Sequence, residues 1–398
     1  MVNNGSITTV IIFINYGPYH LARAKALGEE RGLTPVFIQL AKSIGSHPWR
    51  PTESYPEVSL KTLSELPFER SRYLELSRSL WKALDEINPA VVVTTSFRPF
   101  IMLSAARWAR YNGKRAVFFY ETTRWDRSRL RITEALKRWT IGRYYDAAFV
   151  GGKVHREYLA ELGMSECRIW EPYDVVDNDH FANTAAAVRA DLESWRARLR
   201  LPERYFLYVG RYAPEKNLVR LLEAYGLYRK RQPGSWSLVL VGDGPERDRL
   251  QDFVASNRIE DVFLERFAQI EDLPAYYALA GCFVLASTVD PWGLVVNEAM
   301  ASGLPVLVSK LCGSGFDLVE EGGNGFRFDP YDIRSMAELF VRMSSLDEDT
   351  RQRMGQLSRK IISRFTPRIW AENLARCIRS VTRKNLQGEM GPIFSSDP

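Results

Sequence analysis

The sequence predicts an α/β protein made of two domains, each a doubly wound parallel sheet with helices on its faces. Short β-branched or aromatic runs alternate with longer amphipathic stretches, which is the ordering typical of parallel sheets. This alternation stops over 173–202 and then restarts, which indicates a domain boundary near residue 180. A length of 398 residues also exceeds that of one typical domain.

The predicted elements follow from these runs in chain order. In the first half, strands are expected over 9–15, 35–40, 90–95, 116–120 and 147–150, with helices over 19–32 and 100–112. In the second half, strands are expected over 205–209, 237–241, 262–264, 282–286, 305–309 and 325–328. The domains are therefore predicted over 1–180 and 181–365. A helix over about 366–385 is predicted to pack back on the first domain, and the Gly-, Ser- and Pro-rich tail 386–398 is predicted to be disordered.

Composition and charge are those of an ordinary globular chain, with 45% hydrophobic and 26% charged residues. No apolar run approaches the ~18 residues that a membrane-spanning helix needs, and no basic region precedes the short apolar stretch near the N-terminus. The four cysteines form no CxxC pair, which argues against a zinc site or a disulfide framework. We expect a cytoplasmic protein, and the net charge of +6 favours an anionic partner.

The loop after the predicted strand 205–209 has the features of a phosphate site. Gly210 permits a tight turn, and Arg211 and Lys216 lie on either side of it, close to a predicted helix. Pro214 suits the first turn of a helix. Two cations beside a helix N-terminus favour an anion, with the arginine fork suited to phosphate oxygens. The alternative interpretation is a surface loop with two solvated charges.

A second loop, over 285–303, carries two carboxylates. Asp290 and Glu298 are eight positions apart, and Pro291 and Gly293 interrupt regular structure between them. Residues 297–301 are predicted to start a helix, which would put Glu298 in its first turn, where the helix dipole favours a negative charge. A carboxylate there can accept two hydrogen bonds from a diol such as ribose. The alternative is a loop followed by a helix-capping acid.

The motifs of the second half resemble, in order, those of the retaining glycosyltransferase family 4, a part of glycosyltransferase group 1. The matching segments are 209–217, 240–246, 290–301, 303–306 and 322–330, and the similarity extends over about residues 205–345. The resemblance implies the GT-B fold, in which two Rossmann-like doubly wound domains face a central cleft. It also implies transfer of a sugar from a nucleotide-diphosphate donor, by default a UDP-sugar, to a glycan, lipid-linked or small-molecule acceptor.

The resemblance also implies roles for individual residues. Arg211 and Lys216 would hold the diphosphate, and Glu298 would bind the ribose. Asp290 stands where the family usually has a glutamate that contacts the donor sugar, and Glu121 stands near the place where it often has a histidine. The implied donor site comprises Gly17, Gly210, Arg211, Lys216, Gly242, Phe267, Ile270, Asp290, Trp292, Gly293, Leu294, Val295 and Glu298. The implied acceptor residues are Tyr19, His20 and Glu121, and the implied catalytic residues are Asp290, Arg211, Lys216 and Glu121.

No metal or cofactor is expected, because the two cations and a helix N-terminus would stabilise the departing diphosphate. The one Asp-x-Asp triplet in a plausible loop, over 177–179, is interpreted as a turn. His20 is either a substitute for the family histidine or a residue that simply starts a helix.

The stretch 124–143 is basic, with seven Lys and Arg residues and two acids. Interleaved with them are Trp125, Leu130, Leu136, Trp139 and Ile141. This pattern is typical of an interfacial helix that touches an anionic membrane. The alternative is an ordinary amphipathic helix with its apolar side in the core.

Other functions are compatible with parts of the sequence. A nucleotide-sugar 2-epimerase or a non-catalytic sugar-nucleotide-binding protein would share the architecture. A dinucleotide oxidoreductase is disfavoured, because the Gly-x-Gly-x-x-Gly motif is missing after the first predicted strand. A nucleic-acid binder is disfavoured because no zinc-finger or RNA-recognition signature is present.

Overall fold

The computed structural model describes residues 6–45, 58–95, 100–126, 129–232 and 236–383. The chain divides into two compact units. The first unit comprises Met1–Val175 and Pro367–Pro398, and the second unit comprises Val176–Thr366. The predicted disordered tail, 386–398, lies outside the described residues.

Each unit is built on a parallel sheet. The strands of the first are β1 (Ile7–Phe13), β2 (Leu33–Gln39), β3 (Leu60–Thr62), β4 (Val91–Thr95), β5 (Arg115–Tyr120), β6 (Ala147–Val150) and β7 (Ile169–Trp170). Those of the second are β8 (Tyr205–Val209), β9 (Ser237–Val241), β10 (Val262–Glu265), β11 (Cys282–Leu285), β12 (Val306–Ser309) and β13 (Gly325–Phe328). The strand orders are β3-β2-β1-β4-β5-β6-β7 and β10-β9-β8-β11-β12-β13. Each order reverses beside the first strand of its unit, and ligands of doubly wound sheets bind at such a switch point.

The helices connect these strands. They are α1 (Pro18–Gly28), α2 (Tyr73–Ile87), α3 (Phe100–Tyr111), α4 (Arg131–Tyr144), α5 (Lys153–Glu161), α6 (Asn178–Ala190), α7 (Leu192–Leu199), α8 (Leu218–Arg231), α9 (Arg247–Ser256), α10 (Leu273–Leu279), α11 (Leu294–Ala301), α12 (Gly315–Leu318), α13 (Ile333–Ser344), α14 (Glu348–Ile362) and α15 (Pro367–Arg383). In the first unit α15 lies against α1, where Arg379 pairs with Glu30 at 3.4 Å. None of the helices in the described ranges has the length and apolar character needed to cross a bilayer.

The central strands are buried on both faces, which explains why they read as continuous apolar runs. Every residue of β8 and of β9 is buried. Strands covered by helices on both sides lose the alternating pattern of a half-exposed sheet. The core of the second unit adds an aromatic cluster on one face, in which the Phe206 ring lies 4.5 Å from Phe340 and 5.0 Å from Trp236.

One local prediction is wrong. The triplet 177–179 is not a free turn but the start of α6, where the Asp177 carboxylate accepts a hydrogen bond from the His180 N–H at 3.0 Å. Aspartate is favoured at this capping position because the first backbone N–H groups of a helix have no partner within it.

Candidate active site

The loops after β8 and β9 pack backbone against backbone. Gly210 has a φ of +149° and Gly242 a φ of +156°. A Cβ atom on Gly242 would lie 1.9 Å from the Gly210 carbonyl oxygen, and one on Gly244 would lie 2.4 Å from the Tyr212 oxygen. Only glycine allows so close an approach. The conformation of the turn that carries Arg211 is therefore fixed by the backbone of the loop after β9 as well as by its own sequence.

Arg211 and Lys216 both lie in the connection from β8 to α8. The Arg211 side chain is about half exposed, at 49%, and its Nη2 lies 2.5 Å from Glu215 Oε1. A 3-10 turn, Pro214–Lys216, follows, and Asn217 then adopts a left-handed φ of 60° before α8 begins. The buried Asn217 amide donates to the carbonyls of Ala286 at 3.1 Å and Pro330 at 2.8 Å.

This asparagine ties the cationic loop to the loop after β11. Sequence reasoning quoted Asn217 only as the end of a motif. Its position immediately before a helix was the available signal, since asparagine is common at such ends.

Lys216 and Asp290 form an ion pair. The Lys216 Nζ lies 2.7 Å from Asp290 Oδ2, and the side chains are 20% and 8% exposed. Ser287 Oγ also donates to Asp290 Oδ2, at 3.2 Å. Burial lowers the pKa of Lys216, but the charge and hydrogen bond of Asp290 outweigh this, so the pKa of Lys216 is raised. Lys216 is therefore protonated at neutral pH.

The backbone after Asp290 is held by the segment that follows β12. The Gly313 N–H donates to the Asp290 carbonyl at 3.1 Å, and Cys312 Sγ donates to the Trp292 carbonyl at 2.7 Å. Burial, with a smaller contribution from the Asp290 charge, raises the pKa of the Cys312 thiol to about 12. The thiol therefore stays protonated and acts as a structural donor. Sequence reasoning did not single out Cys312, because a lone buried cysteine carries no distinguishing pattern.

The helix after this loop begins earlier than the sequence predicted. Gly293 has a φ of +88°, and α11 starts at Leu294 rather than at 297. Glu298 is consequently the fifth residue of α11 and not part of its first turn, so it is not a helix-capping acid. A Cβ on Gly293 would meet Cys312 Sγ at 2.9 Å, so glycine is required here as well. The first turn of α11 contains Leu294 and Val295, whose side chains are partly buried.

Glu298 lies inside the second unit. It is fully buried, and its Oε2 accepts a hydrogen bond from the Tyr277 hydroxyl of α10 at 2.7 Å. Tyr277 is itself fully buried and packs against Phe181 and Phe283, with ring centroids 6.0 Å apart in both cases. Trp292 is also buried, and its indole N–H donates to Asn297 Oδ1 at 2.9 Å. These hydrogen bonds fix the side chains of Glu298 and Trp292.

Two further implied donor residues lie between β10 and α10. Phe267 and Ile270 are both partly buried. The Ile270 carbonyl lies 3.0 Å from His180 Nε2 of α6, which anchors this segment. The structure thus places the second-unit residues named from the sequence in the loops after β8, β9, β10 and β11, except for Leu294, Val295 and Glu298, which lie in α11.

The remaining named residues belong to the first unit. The buried Gly17 precedes α1, and its N–H donates to His20 Nδ1 at 3.0 Å. The His20 ring packs 4.2 Å from the Phe13 ring centroid. Tyr19 is partly buried. Glu121 directly follows β5, and burial together with the Glu121 charge raises the pKa of Tyr173.

Within the described ranges, no group of three or more His, Cys, Asp or Glu side chains is arranged to hold a metal ion. The loop after β8 instead carries two cations, each paired with a carboxylate.

The sequence matches known proteins mainly in the second unit. Residues 191–361 match the family model described as glycosyl transferases group 1. Alpha-D-kanosaminyltransferase of Streptomyces kanamyceticus is 31% identical over 175 residues, which are 42% of this chain and 44% of that protein. Alpha-monoglucosyldiacylglycerol synthase of Acholeplasma laidlawii is 33% identical over 124 residues, 31% of this chain and 30% of that protein. The chain thus spans less than half the length of these relatives.

Solved structures match almost the whole chain. HepE of Anabaena, in complex with UDP-glucose, has a TM-score of 0.73 at 16% identity and covers 94% of this chain and 100% of its own. A trehalose 6-phosphate synthase from Burkholderia multivorans has a TM-score of 0.75 at 18% identity, with coverages of 97% and 99%. At such low identity these similarities concern the fold.

The two units and their strand orders define a GT-B protein, so the fold predicted from the sequence is confirmed. Residues 191–361 match the glycosyl transferases group 1 model, in the region where the order of the motifs indicated that resemblance. The narrower assignment to family 4 stays a prediction.

Proposed function

We propose that this chain is a glycosyltransferase that moves a sugar from a UDP-sugar to a glycan, lipid-linked or small-molecule acceptor, with retention of anomeric configuration. The observation that carries the proposal is the cationic pair Arg211 and Lys216 beside Asp290, at the switch point of the second sheet. The relative named as a kanosaminyltransferase supports the reaction class, and the HepE complex with UDP-glucose supports the donor.

Both cations carry a carboxylate partner that a diphosphate can replace. Arg211 pairs with Glu215 and Lys216 pairs with Asp290. A diphosphate presents more negative charge and more acceptor oxygens than either single carboxylate, and arginine binds phosphate oxygens through two N–H groups. Donor binding would thus free the Asp290 carboxylate to accept a hydrogen bond from a sugar hydroxyl.

The same cations would stabilise the leaving group. As the bond from the sugar C1 to the phosphate oxygen breaks, negative charge grows on the diphosphate, and preorganised positive groups stabilise that charge. The N-terminus of α11, opened by Gly293, adds backbone N–H groups that favour an anion. The departing phosphate oxygen would accept the proton of the acceptor hydroxyl, so the proposal requires no separate general base.

Nucleotide recognition is tested by thermal unfolding with UDP, GDP, ADP and dTDP. A ligand at one hundred times its Kd stabilises the folded state by about 2.7 kcal/mol. At roughly 2–4 °C per kcal/mol for a unit of this size, UDP should raise the midpoint by about 5–11 °C. No shift with any of the four nucleotides would contradict the proposed donor site.

Catalysis is tested by release of UDP from UDP-glucose in the presence of candidate acceptors. Arg211→Ala and Lys216→Ala should each lower turnover at least ~100-fold, because each removes one stabiliser of the departing charge. Arg249→Ala is the matched control, since Arg249 is also exposed and pairs with Glu246 at 2.7 Å within one turn. Near-normal transfer by both variants would refute the assignment, and an epimerised sugar formed from donor alone would favour the 2-epimerase.

A further inference from the structure

Helix α4 of the first unit presents an apolar stripe to solvent. Ile132, Leu136 and Trp139 are 78%, 62% and 58% exposed. At about 100° per residue, their spacing places the three side chains within about 60° on one side of the helix. Leu130, immediately before the helix, is 64% exposed. Such a stripe on a helix of a globular domain ordinarily faces the core.

The opposite side of α4 is the one that packs. Ile141 is fully buried there, and Tyr158 of α5 donates to Glu134 at 2.5 Å and accepts from Lys137 at 2.9 Å. The guanidinium of Arg129 lies 4.6 Å from the Tyr158 ring centroid. The alternative that the apolar side of this helix lies in the core is therefore wrong for Leu136 and Trp139, although it holds for Ile141.

Exposed arginines lie on this stripe and beside it. Arg131, Arg138 and Arg143 are exposed, and in the described parts of the chain none of them forms an ion pair with a carboxylate. The one acid of α4, Glu134, is turned inward and paired with Lys137 at 2.8 Å. Residues 127 and 128 of the basic stretch lie outside the described ranges.

We propose that this surface, formed by Leu130, Ile132, Leu136, Trp139 and the three arginines, lies in the interface of an anionic lipid bilayer. The apolar side chains would enter the boundary between headgroups and acyl chains, where tryptophan is favoured, while the arginines contact lipid phosphates. A second copy of the chain is a poorer occupant, because a symmetric contact would bring together two sets of these arginines, whose charges no carboxylate of the described residues pairs.

The loop between β5 and α4 connects the proposed membrane contact to a residue of the implied acceptor site. It begins at Glu121, and Arg129 fastens it by donating to the carbonyls of Thr123 and Arg124. Membrane contact by α4 would hold this loop close to the lipid surface. Together with the proposed transferase function, on which this step alone rests, it favours a lipid-linked acceptor.

The test is flotation of the full chain with vesicles of phosphatidylcholine alone or mixed with phosphatidylglycerol. The chain should float only with the anionic vesicles, and added salt should weaken its binding. Changing Arg131, Arg138 and Arg143 to glutamine should weaken binding about fivefold per residue, or ~100-fold together. The triple variant Ile132→Ser/Leu136→Ser/Trp139→Ser should stay at the bottom of the gradient. Tyr331→Ser, which alters an aromatic residue of the second unit that is 57% exposed, is the control and should float.

The UDP-induced thermal shift is measured on every variant. It should be unchanged, which shows that the variants are folded and separates this proposal from the proposed donor site. The proposal is overturned if the chain floats with neither vesicle or if the serine variant floats like the unaltered chain. It is also overturned if the chain instead forms a dimer that the serine changes dissociate.

Discussion

Removing the negative charge of Asp290 should destabilise the second unit and yet preserve nucleotide binding. The 2.7 Å contact joins a lysine that is 20% exposed to an aspartate that is 8% exposed. Breaking a fully buried ion pair costs about 3–5 kcal/mol, because the remaining charge is left without a partner. Since one fifth of Lys216 still reaches water, we expect about 3 kcal/mol for Asp290→Asn. At roughly 2–4 °C per kcal/mol, the unfolding midpoint should fall by about 6–12 °C.

A double-mutant cycle separates the pair from the individual side chains. In Lys216→Met, the side chain that still bonds the Asp290 carboxylate within the described ranges is Ser287, whose hydroxyl lies at 3.2 Å. The double variant Lys216→Met/Asp290→Asn removes both charges and should be about 1.5–3 kcal/mol more stable than the sum of the single effects predicts. Stability is measured by denaturant unfolding. Lys230→Met, near the end of the α8 helix that follows Lys216, is exposed; it is the control and should change little.

The same variants report on the ligand. If a diphosphate and Asp290 compete for one ammonium group, Asp290→Asn should bind UDP at least as tightly as the unaltered chain, while Lys216→Met should lose most of the UDP-induced shift. A coupling energy indistinguishable from zero would refute the argument from burial. Loss of the UDP response in Asp290→Asn as well as in Lys216→Met would refute the competition.

Two further substitutions test the loop packing of the second unit and the buried side of α4 in the first. Gly242→Ala should destabilise the second unit by roughly 1–3 kcal/mol in thermal unfolding and weaken UDP binding, since its Cβ would lie 1.9 Å from the Gly210 oxygen. Gly226→Ala, whose Cβ meets only ordinary contacts in α8, is the control and should be neutral or stabilising. Burial raises the pKa of Glu134, but hydrogen bonds from Lys137 and Tyr158 outweigh it, so the pKa lies below 4.5. Its contribution to stability is therefore present above pH 4.5 and lost as the pH falls through the lowered pKa, and Glu134→Gln should flatten this part of the stability–pH profile.

The central strands could be predicted from the sequence because burial on both faces leaves a continuous apolar run. The runs 205–209 and 237–241 coincide with β8 and β9. The edge strands β3 and β7, with three and two residues, could not be predicted, because segments so short carry no periodicity. The predicted start of α11 was wrong by three residues. A glycine in the sequence permits the left-handed φ that Gly293 adopts but does not show that this φ occurs.

The sequence of α4 could not predict which side of this helix is buried. An apolar stripe in a helical sequence is the same whether that side meets the core or the solvent. What decides between them is the partner on the other side, here Tyr158, which bonds both Glu134 and Lys137. Tyr158 lies 21 positions after Lys137 on another helix, so only the packing of α4 against α5 reveals the choice.

The pairing of Lys216 with Asp290 could not be predicted from the sequence either. It means that a bound donor would have to replace this carboxylate at the lysine. Lys216 and Asp290 are 74 positions apart and meet only because β8 and β11 are neighbours in the sheet. The glycine contacts between the loops after β8 and β9 leave no space for their backbones to approach further. A ligand would therefore act on the side chains, by exchanging carboxylate partners for phosphate oxygens. Both cations already lie in the loop after β8, so this exchange would require little reorganisation of the protein when negative charge develops on the diphosphate. Electrostatic stabilisation of a leaving group is most effective under that condition.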